Sequence, residues 1–150
     1  MSQLREQLLK TTYSFLENHD KFTPESVIAH RSASCTHTVL PSTIPMGIRS
    51  NAEYSKFVSD SKLIIDSFKL LVVAGTEPIV DEVTRQVTLQ LKSHAETDVG
   101  LYANEYIWIL KFNDDGTEID KVVEFGDSAY TLDMMPKFAD AVQKKINTSL

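Results

Sequence analysis

Leu4, Leu8, Leu9, Phe15 and Leu16 recur at helical spacing, with Arg5, Glu6, Lys10 and Glu17 between them, so the chain is expected to open with an amphipathic helix. In "FTPESVIAH", Thr23 is a natural N-cap, Pro24 suits a first helical position and Phe22 can staple onto Val27, which predicts a short second helix. "SNAEYSKFVSDSKLIIDS" places Ser50 and Glu53 at capping-box spacing and sets Tyr54, Phe57, Val58, Ile64 and Ile65 on one stripe, a third helix. Between these two helices, "CTHTVLPSTIPMGIR" reads as a short strand stopped by Pro41, then a proline-punctuated loop with Ile44, Met46 and Ile48 at its tip.

After Ser67 the period changes from helical to alternating. "FKLLVVAGTEPIV", "RQVTLQLKSHAET", "YANEYIWILKFN" and "TEIDKVVEFGDS" are four successive strand candidates, expected to form an antiparallel sheet. Asp115-Gly116 is a type I′ hairpin signal, and "TDVG" is a turn before the third of these strands. The tail places Met135, Phe138, Ala139, Val142 and Ile146 on a helical stripe, with Pro136 acceptable only near its first turn. Helices and strands segregated in this way predict an α+β fold, with helices packed on one face of a curved antiparallel sheet, and one domain over residues 1–150.

Composition narrows the function. A net charge of −6 argues against nucleic acid as a partner, because a polyanion needs clustered Lys and Arg. Cys35 is the only cysteine, which excludes an intrachain disulfide and any multi-cysteine metal site. There is no apolar run of membrane-spanning length, and the N-terminal stretch is charged throughout, so no membrane association and a cytoplasmic location are expected. The chain has no GxGxxG, Walker or GxSxG motif, and its four histidines show no ligand spacing; neither cofactor nor metal is expected.

The candidate chemistry lies in carboxylates set among apolar strand residues. Counting back from a two-residue turn at Asp115-Gly116 puts Ile107 opposite Glu124, Glu105 opposite Gly126, and Asn104 against Asp127. Glu105 and Glu124 then share a face with Leu101, Ala103, Ile107, Ile109 and Val122, while Tyr102, Asn104, Tyr106 and Trp108 take the other with Asp127. Desolvation on an apolar face raises a carboxyl group's proton affinity and suits it to acid/base work near neutral pH. The alternative is a wet rim or dimer seam, with the glutamates paired to Arg31, Lys92 or Lys121; a one-residue change of register would also separate the two glutamates onto opposite faces. His37 shares its strand side with Cys35 and Val39, where an imidazole would exchange protons or serve structurally. His19 and His30 read as helix-end residues. Tyr106 and Trp108 suit a ligand wall or a subunit interface, and Tyr54 and Phe57 a core or a pocket.

"FTPESVIAHRSASCTHTVLP", "SNAEYSKFV" and "VGLYANEYIWILKFNDDGTEIDKVVEFGDSAY", in this order of elements, resemble the SnoaL-like branch of the NTF2-like superfamily in its fungal form. The resemblance implies a cone-shaped α+β barrel enclosing a ligand cavity, pairing as a homodimer through the sheet. It also implies cofactor-free enzymes of fungal secondary metabolism, similar to meroterpenoid and xanthone-type isomerases. It carries over to Arg31, Cys35 and His37 in "RSASCTH", Asn104 and Glu105 in "ANEY", and Glu124, Asp127 and Ser128 in "EFGDS"; Gly126 departs from the bulkier residue expected there. The expected function is an isomerase or cyclase acting by acid/base chemistry on a small apolar cyclic polyketide or meroterpenoid. Glu105 or Asp127 would be the base, with Glu124 as the further carboxylate, and His37 or Arg31 would polarise the oxygen. Tyr54, Phe57, Tyr102, Asn104, Tyr106, Trp108 and Met46 would hold the substrate. A non-catalytic binding or dimerising module is the alternative, favoured by exposure of Tyr106 and Trp108, and a hydratase or dehydratase is a third.

Overall fold

The computed structural model describes residues 1–150. It opens with α1 (Gln3–Asp20), capped by the Ser2 hydroxyl, which accepts from the Arg5 amide. Leu8, Phe15 and Leu16 are buried as the stripe predicts, joined by Thr11, Thr12 and His19. The second predicted helix is reduced to a 3₁₀ turn, Ser26–Ile28. Glu25 rather than Thr23 takes the N-cap position, although the Thr23 hydroxyl accepts from the Ser26 amide at 2.9 Å and Phe22 still packs with Val27; His30 takes a positive φ of 67° and Arg31 returns its Nε–H to the Val27 carbonyl at 3.1 Å, so the chain leaves for the sheet after one turn. Strand β1 (Arg31–Leu40) is therefore longer than the short strand expected; β2 (Ile48–Ser50) follows the loop. Helix α2 (Asn51–Ser61) carries the predicted Ser50/Glu53 capping box. It stops before Ile64 and Ile65, the latter already opening β3 (Ile65–Val72).

The remaining strands are β4 (Ile79–Asp81), β5 (Gln86–Thr97), β6 (Gly100–Tyr102), β7 (Glu105–Phe112) and β8 (Ile119–Gly126). They form one sheet in the order β2-β1-β8-β7-β5-β3, with β4 and β6 also paired to β5. The sheet is mixed rather than antiparallel throughout, because β1 enters beside β8 and runs parallel to it. Leu89, Leu91, Tyr106, Trp108, Leu110 and Val122 project from its inner face onto α1, forming the main core with Leu8, Phe15 and Leu16. Helix α3 (Ser128–Ser149) closes the chain, with Pro136 in its interior rather than near its first turn. No helix is long and apolar enough to cross a membrane.

The β7–β8 hairpin corrects the predicted register. Phe112 faces Ile119, as counting back from the turn requires, but the register then shifts, and Lys111 faces Lys121. Asp120 is the extra residue, and it turns the rest of β8 over: Trp108 faces Glu124 and Tyr106 faces Gly126. The alternation breaks visibly at Asp120-Lys121, two polar residues between the buried Ile119 and Val122. The hairpin tip docks on α1, where the Thr11 hydroxyl donates to the Gly116 carbonyl at 2.7 Å. Gly116 has φ +75°, and a Cβ there would meet the Leu8 side chain at 3.1 Å. Gly116→Ala should therefore lower stability by about 1–3 kcal/mol, measured by urea unfolding, through left-handed backbone strain together with overpacking against Leu8.

Candidate active site

The curled sheet, α1, α2 and α3 enclose a cavity of about 320 Å³, with hydrophobic side chains at 15 of its 21 lining positions. Trp108, Tyr106 and Glu124 line it from the sheet, His19 and Phe22 from the end of α1, and Tyr54 and Phe57 from α2. Helix α3 covers it with Thr131, Met134, Met135, Phe138, Ala139 and Val142. Met46 and Tyr102 complete the predicted binding residues on the wall. Asn104 is buried behind Tyr102 and acts through it.

Glu124 is the carboxylate that the bulge turns inward, and it is held from behind. His37, fully buried on the parallel strand β1, places Nε2 at 2.8 Å from Glu124 Oε1, and its Nδ1 is 3.2 Å from an Arg31 guanidinium nitrogen. Arginine only donates, so His37 Nδ1 accepts and Nε2–H donates to the carboxylate, which fixes a neutral tautomer. Burial, the largest cause, lowers the His37 pKa against the opposing pull of Glu124. The Arg31 charge is stabilised by the faces of Tyr54 and Phe15, 4.5 and 5.5 Å from its guanidinium carbon. His37 stacks flat on Tyr54, ring centroids 4.4 Å apart, and meets Trp108 edge-on at 5.2 Å.

A hydroxyl pair lies beside this carboxylate. Tyr102 and Tyr106 are 3.0 Å apart at their oxygens; Tyr106 also pairs with Ser93 Oγ, and Asn104 Nδ2 donates to Tyr102. The other Asn104 amide hydrogen goes to Thr131 of α3, which ties the covering helix to the site. Burial raises the pKa of both phenols, Tyr106 strongly, so both are proton-bearing at neutral pH. Gly126 faces Tyr106, and a Cβ there would lie 3.4 Å from its ring.

Two of the five candidate catalytic residues leave the site. Glu105 is exposed on the outer face, directly across from Lys92, because the Asp120 bulge separates its parity from that of Glu124. Asp127 is the exposed N-cap of α3, accepting from the Tyr130 amide at 3.1 Å, and does not meet Asn104. Arg31 and His37 do not line the cavity but position Glu124. Tyr106 and Trp108 are buried, which removes the exposure that would favour a binding module.

Two further wall residues escape sequence reasoning. Arg49, the cross-strand neighbour of His37, lies over the Phe57 ring at 4.5 Å and makes no ion pair. His19 falls on the buried stripe of α1 but carries no sequence signal for a cavity; burial, then the charge of Arg31, lowers its pKa to about 3. No group of three His, Cys, Asp or Glu side chains is placed to hold a metal ion.

No protein-family model matches the chain. It is 37% identical over 130 residues to austinoid biosynthesis clusters protein H of Penicillium brasilianum, a match spanning 86% of this chain and 88% of that one. Among solved structures, BvnE pinacolase from Penicillium brevicompactum superposes with a TM-score of 0.88 at 35% identity, over 92% of this chain and 98% of its own. AusH from Aspergillus nidulans superposes at 0.77 and 32% identity, over 83% and 86%. An NTF2-like protein of Burkholderia pseudomallei, 14% identical with a TM-score of 0.67, shares the fold over 91% of this chain and 97% of its own.

The two buried histidines predict a pH dependence. Both are neutral when folded, and in the unfolded chain they regain the ordinary histidine value of 6.5. Below that value the unfolded chain binds protons that the native state does not, so stability falls as pH falls. For His19 the window runs down to about 3. Each imidazole contributes a slope of about 1.4 kcal/mol per pH unit within its window. Urea unfolding between about pH 7 and 5 reads that slope, and His19→Phe should remove one share of it. An undiminished slope in the variant would exclude His19 as a contributor.

Proposed function

This chain belongs to the family of the austinoid-cluster proteins, SnoaL-like members of the NTF2-like superfamily, and from that premise we propose that it is a cofactor-independent isomerase or cyclase of fungal secondary metabolism. Its substrate is an apolar polycyclic intermediate of polyketide or meroterpenoid type, matched to a cavity walled by hydrophobic side chains. The observation that carries this reading is Glu124, a carboxylate locked by the Arg31–His37 pair and exposed to the same cavity as the Tyr102–Tyr106 hydroxyls. Glu124 and Tyr106 are diagonal neighbours across β7 and β8, within reach of one ring system. Glu124 takes a proton from a substrate hydroxyl or a carbon next to a carbonyl, and a tyrosine O–H supports the oxygen on which charge develops. A ring bond migrates or closes between the two, and the proton returns, so no atoms are gained or lost.

The test uses the intermediate that accumulates when the gene is deleted from its host. Purified protein without added cofactor should convert it to a product of unchanged mass. Glu124→Gln should lower kcat by about 10²–10⁴, whereas Glu105→Gln and Asp127→Asn should leave it within about twofold. A product differing by one water would replace this reading with a hydratase or dehydratase. Full activity in Glu124→Gln would remove the carboxylate from the chemistry.

We further propose that two copies pair through the outer sheet face. Ile48, Thr38, Val123, Ile109, Thr88 and Ile79 form one row across six strands, with Phe125 and Ile107 adjacent. Ile48, Phe125 and Ile107 are 65%, 49% and 39% exposed, a contiguous apolar surface that a second copy would cover. Sedimentation should give a dimer, and Phe125→Glu should shift it to monomer with unchanged circular dichroism; a monomeric parent protein excludes the pairing.

A further inference from the structure

Arg49 is the sole Lys or Arg among the side chains that line the cavity. It pairs directly with His37 across β1 and β2, so the two side chains share the inner face of the sheet, while the neighbouring Ile48 points outward. Its guanidinium carbon lies 4.5 Å from the centre of the Phe57 ring, itself part of the cavity wall, which covers one flat face of the guanidinium and leaves its N–H edges free. The residue is half-buried, and its side-chain nitrogens, which make no hydrogen bond within the chain, keep accessible surface. The carboxylates around it are already committed. Glu53 accepts from the Ser50 amide at 3.1 Å in the capping box, Asp60 is ion-paired to Lys56 at 2.7 Å, and Glu124 receives His37 at 2.8 Å. Arg31 and Glu124 balance one another through His37, so the charge of Arg49 is the one the cavity leaves unbalanced.

We propose that Arg49 anchors a carboxylate of the ligand at the rim where β2 meets α2, so that the ligand is an amphiphilic acid, with an apolar body in the cavity and one anionic group on the guanidinium edge. A guanidinium held by its face presents parallel N–H groups in the geometry that a carboxylate accepts in pairs, and a half-buried cation gains more from such a partner than an exposed one does. The anion carries a single charge. A phosphate ester, close to doubly charged at neutral pH, would leave charge unmatched against an apolar wall that offers no second Lys or Arg. The anchor deepens the reading of the cavity as the substrate pocket, on which it rests, and is independent of the acid/base step at Glu124. It would fix which end of a polycyclic substrate enters the cavity and which stays at the rim.

The test is titration calorimetry at low ionic strength with 2-naphthoate and 2-naphthamide, unreactive probes of one shape that differ in charge. Trp108 is the sole tryptophan and lies on the cavity wall, so quenching of its fluorescence by a naphthyl ring reports that the probe is in the cavity. The parent protein should bind the carboxylate about tenfold tighter than the amide, with Trp108 quenched by both. Arg49→Gln should erase the preference and leave the amide's affinity within about twofold, and Arg49→Lys should keep part of the preference. Glu124→Gln should retain it or widen it, whether or not that variant turns over substrate. Equal affinity of the parent protein for the two probes, a preference that survives Arg49→Gln, or naphthoate binding without quenching overturns the anchor. If neither probe quenches Trp108, the pocket premise fails and the anchor fails with it, whereas quenching by both without a preference removes the anchor alone. The parent-protein comparison decides the matter if a variant fails to fold.

Discussion

The parallel pairing of β1 with β8 is the constraint on which the site depends, because it brings His37 behind Glu124. A carboxylate facing an apolar cavity has many rotamers and few reasons to keep one. Here a donor-only arginine fixes the histidine tautomer, and the histidine N–H fixes one carboxylate oxygen. The buried guanidinium is compensated by the Val27 carbonyl and by two aromatic faces rather than by a counter-charge of its own. The carboxylate is thus oriented by groups that do not touch the cavity, and its remaining oxygen is left for a ligand.

Asp120 determines which carboxylate is available. One extra residue in β8 leaves the hairpin tip unchanged and reverses every side chain beyond it, so Glu124 faces the tyrosines while Glu105 faces outward. The same inversion sends Phe125 and Val123 outward to the apolar row on the outer face. Cavity wall and candidate pairing surface are consequently opposite faces of one strand, set by one bulge.

The covering helix is joined to this arrangement through polar contacts as well as packing. Asp127 caps α3, Thr131 of its first turns receives the Asn104 amide, and Asn104 also donates to Tyr102. The N-terminus of α3 is therefore registered to the hydroxyl pair, and Met134, Met135 and Phe138 follow over the cavity. Asp127, which looks catalytic in the linear pattern, serves the site by starting the helix that covers it.

Much of the fold was legible in the chain because its causes are local. The buried stripe of α1, the Ser50/Glu53 capping box, the alternating strands and the position of the Asp115-Gly116 turn each follow from neighbours within a few residues. The cavity-lining aromatics were legible for the same reason, since alternation places Tyr102, Tyr106 and Trp108 together whatever the partner strand does. Tertiary structure alone decided the parallel neighbour of β8, the pairing of His37 with Glu124, and the burial of His19 against Trp108. These are contacts between residues far apart in sequence, and their hydrogen-bond and desolvation energies have no periodic signature. The Asp120 bulge lies between the two: its polar doublet is written in the sequence, but which carboxylate it turns inward depends on the strand that β8 pairs with.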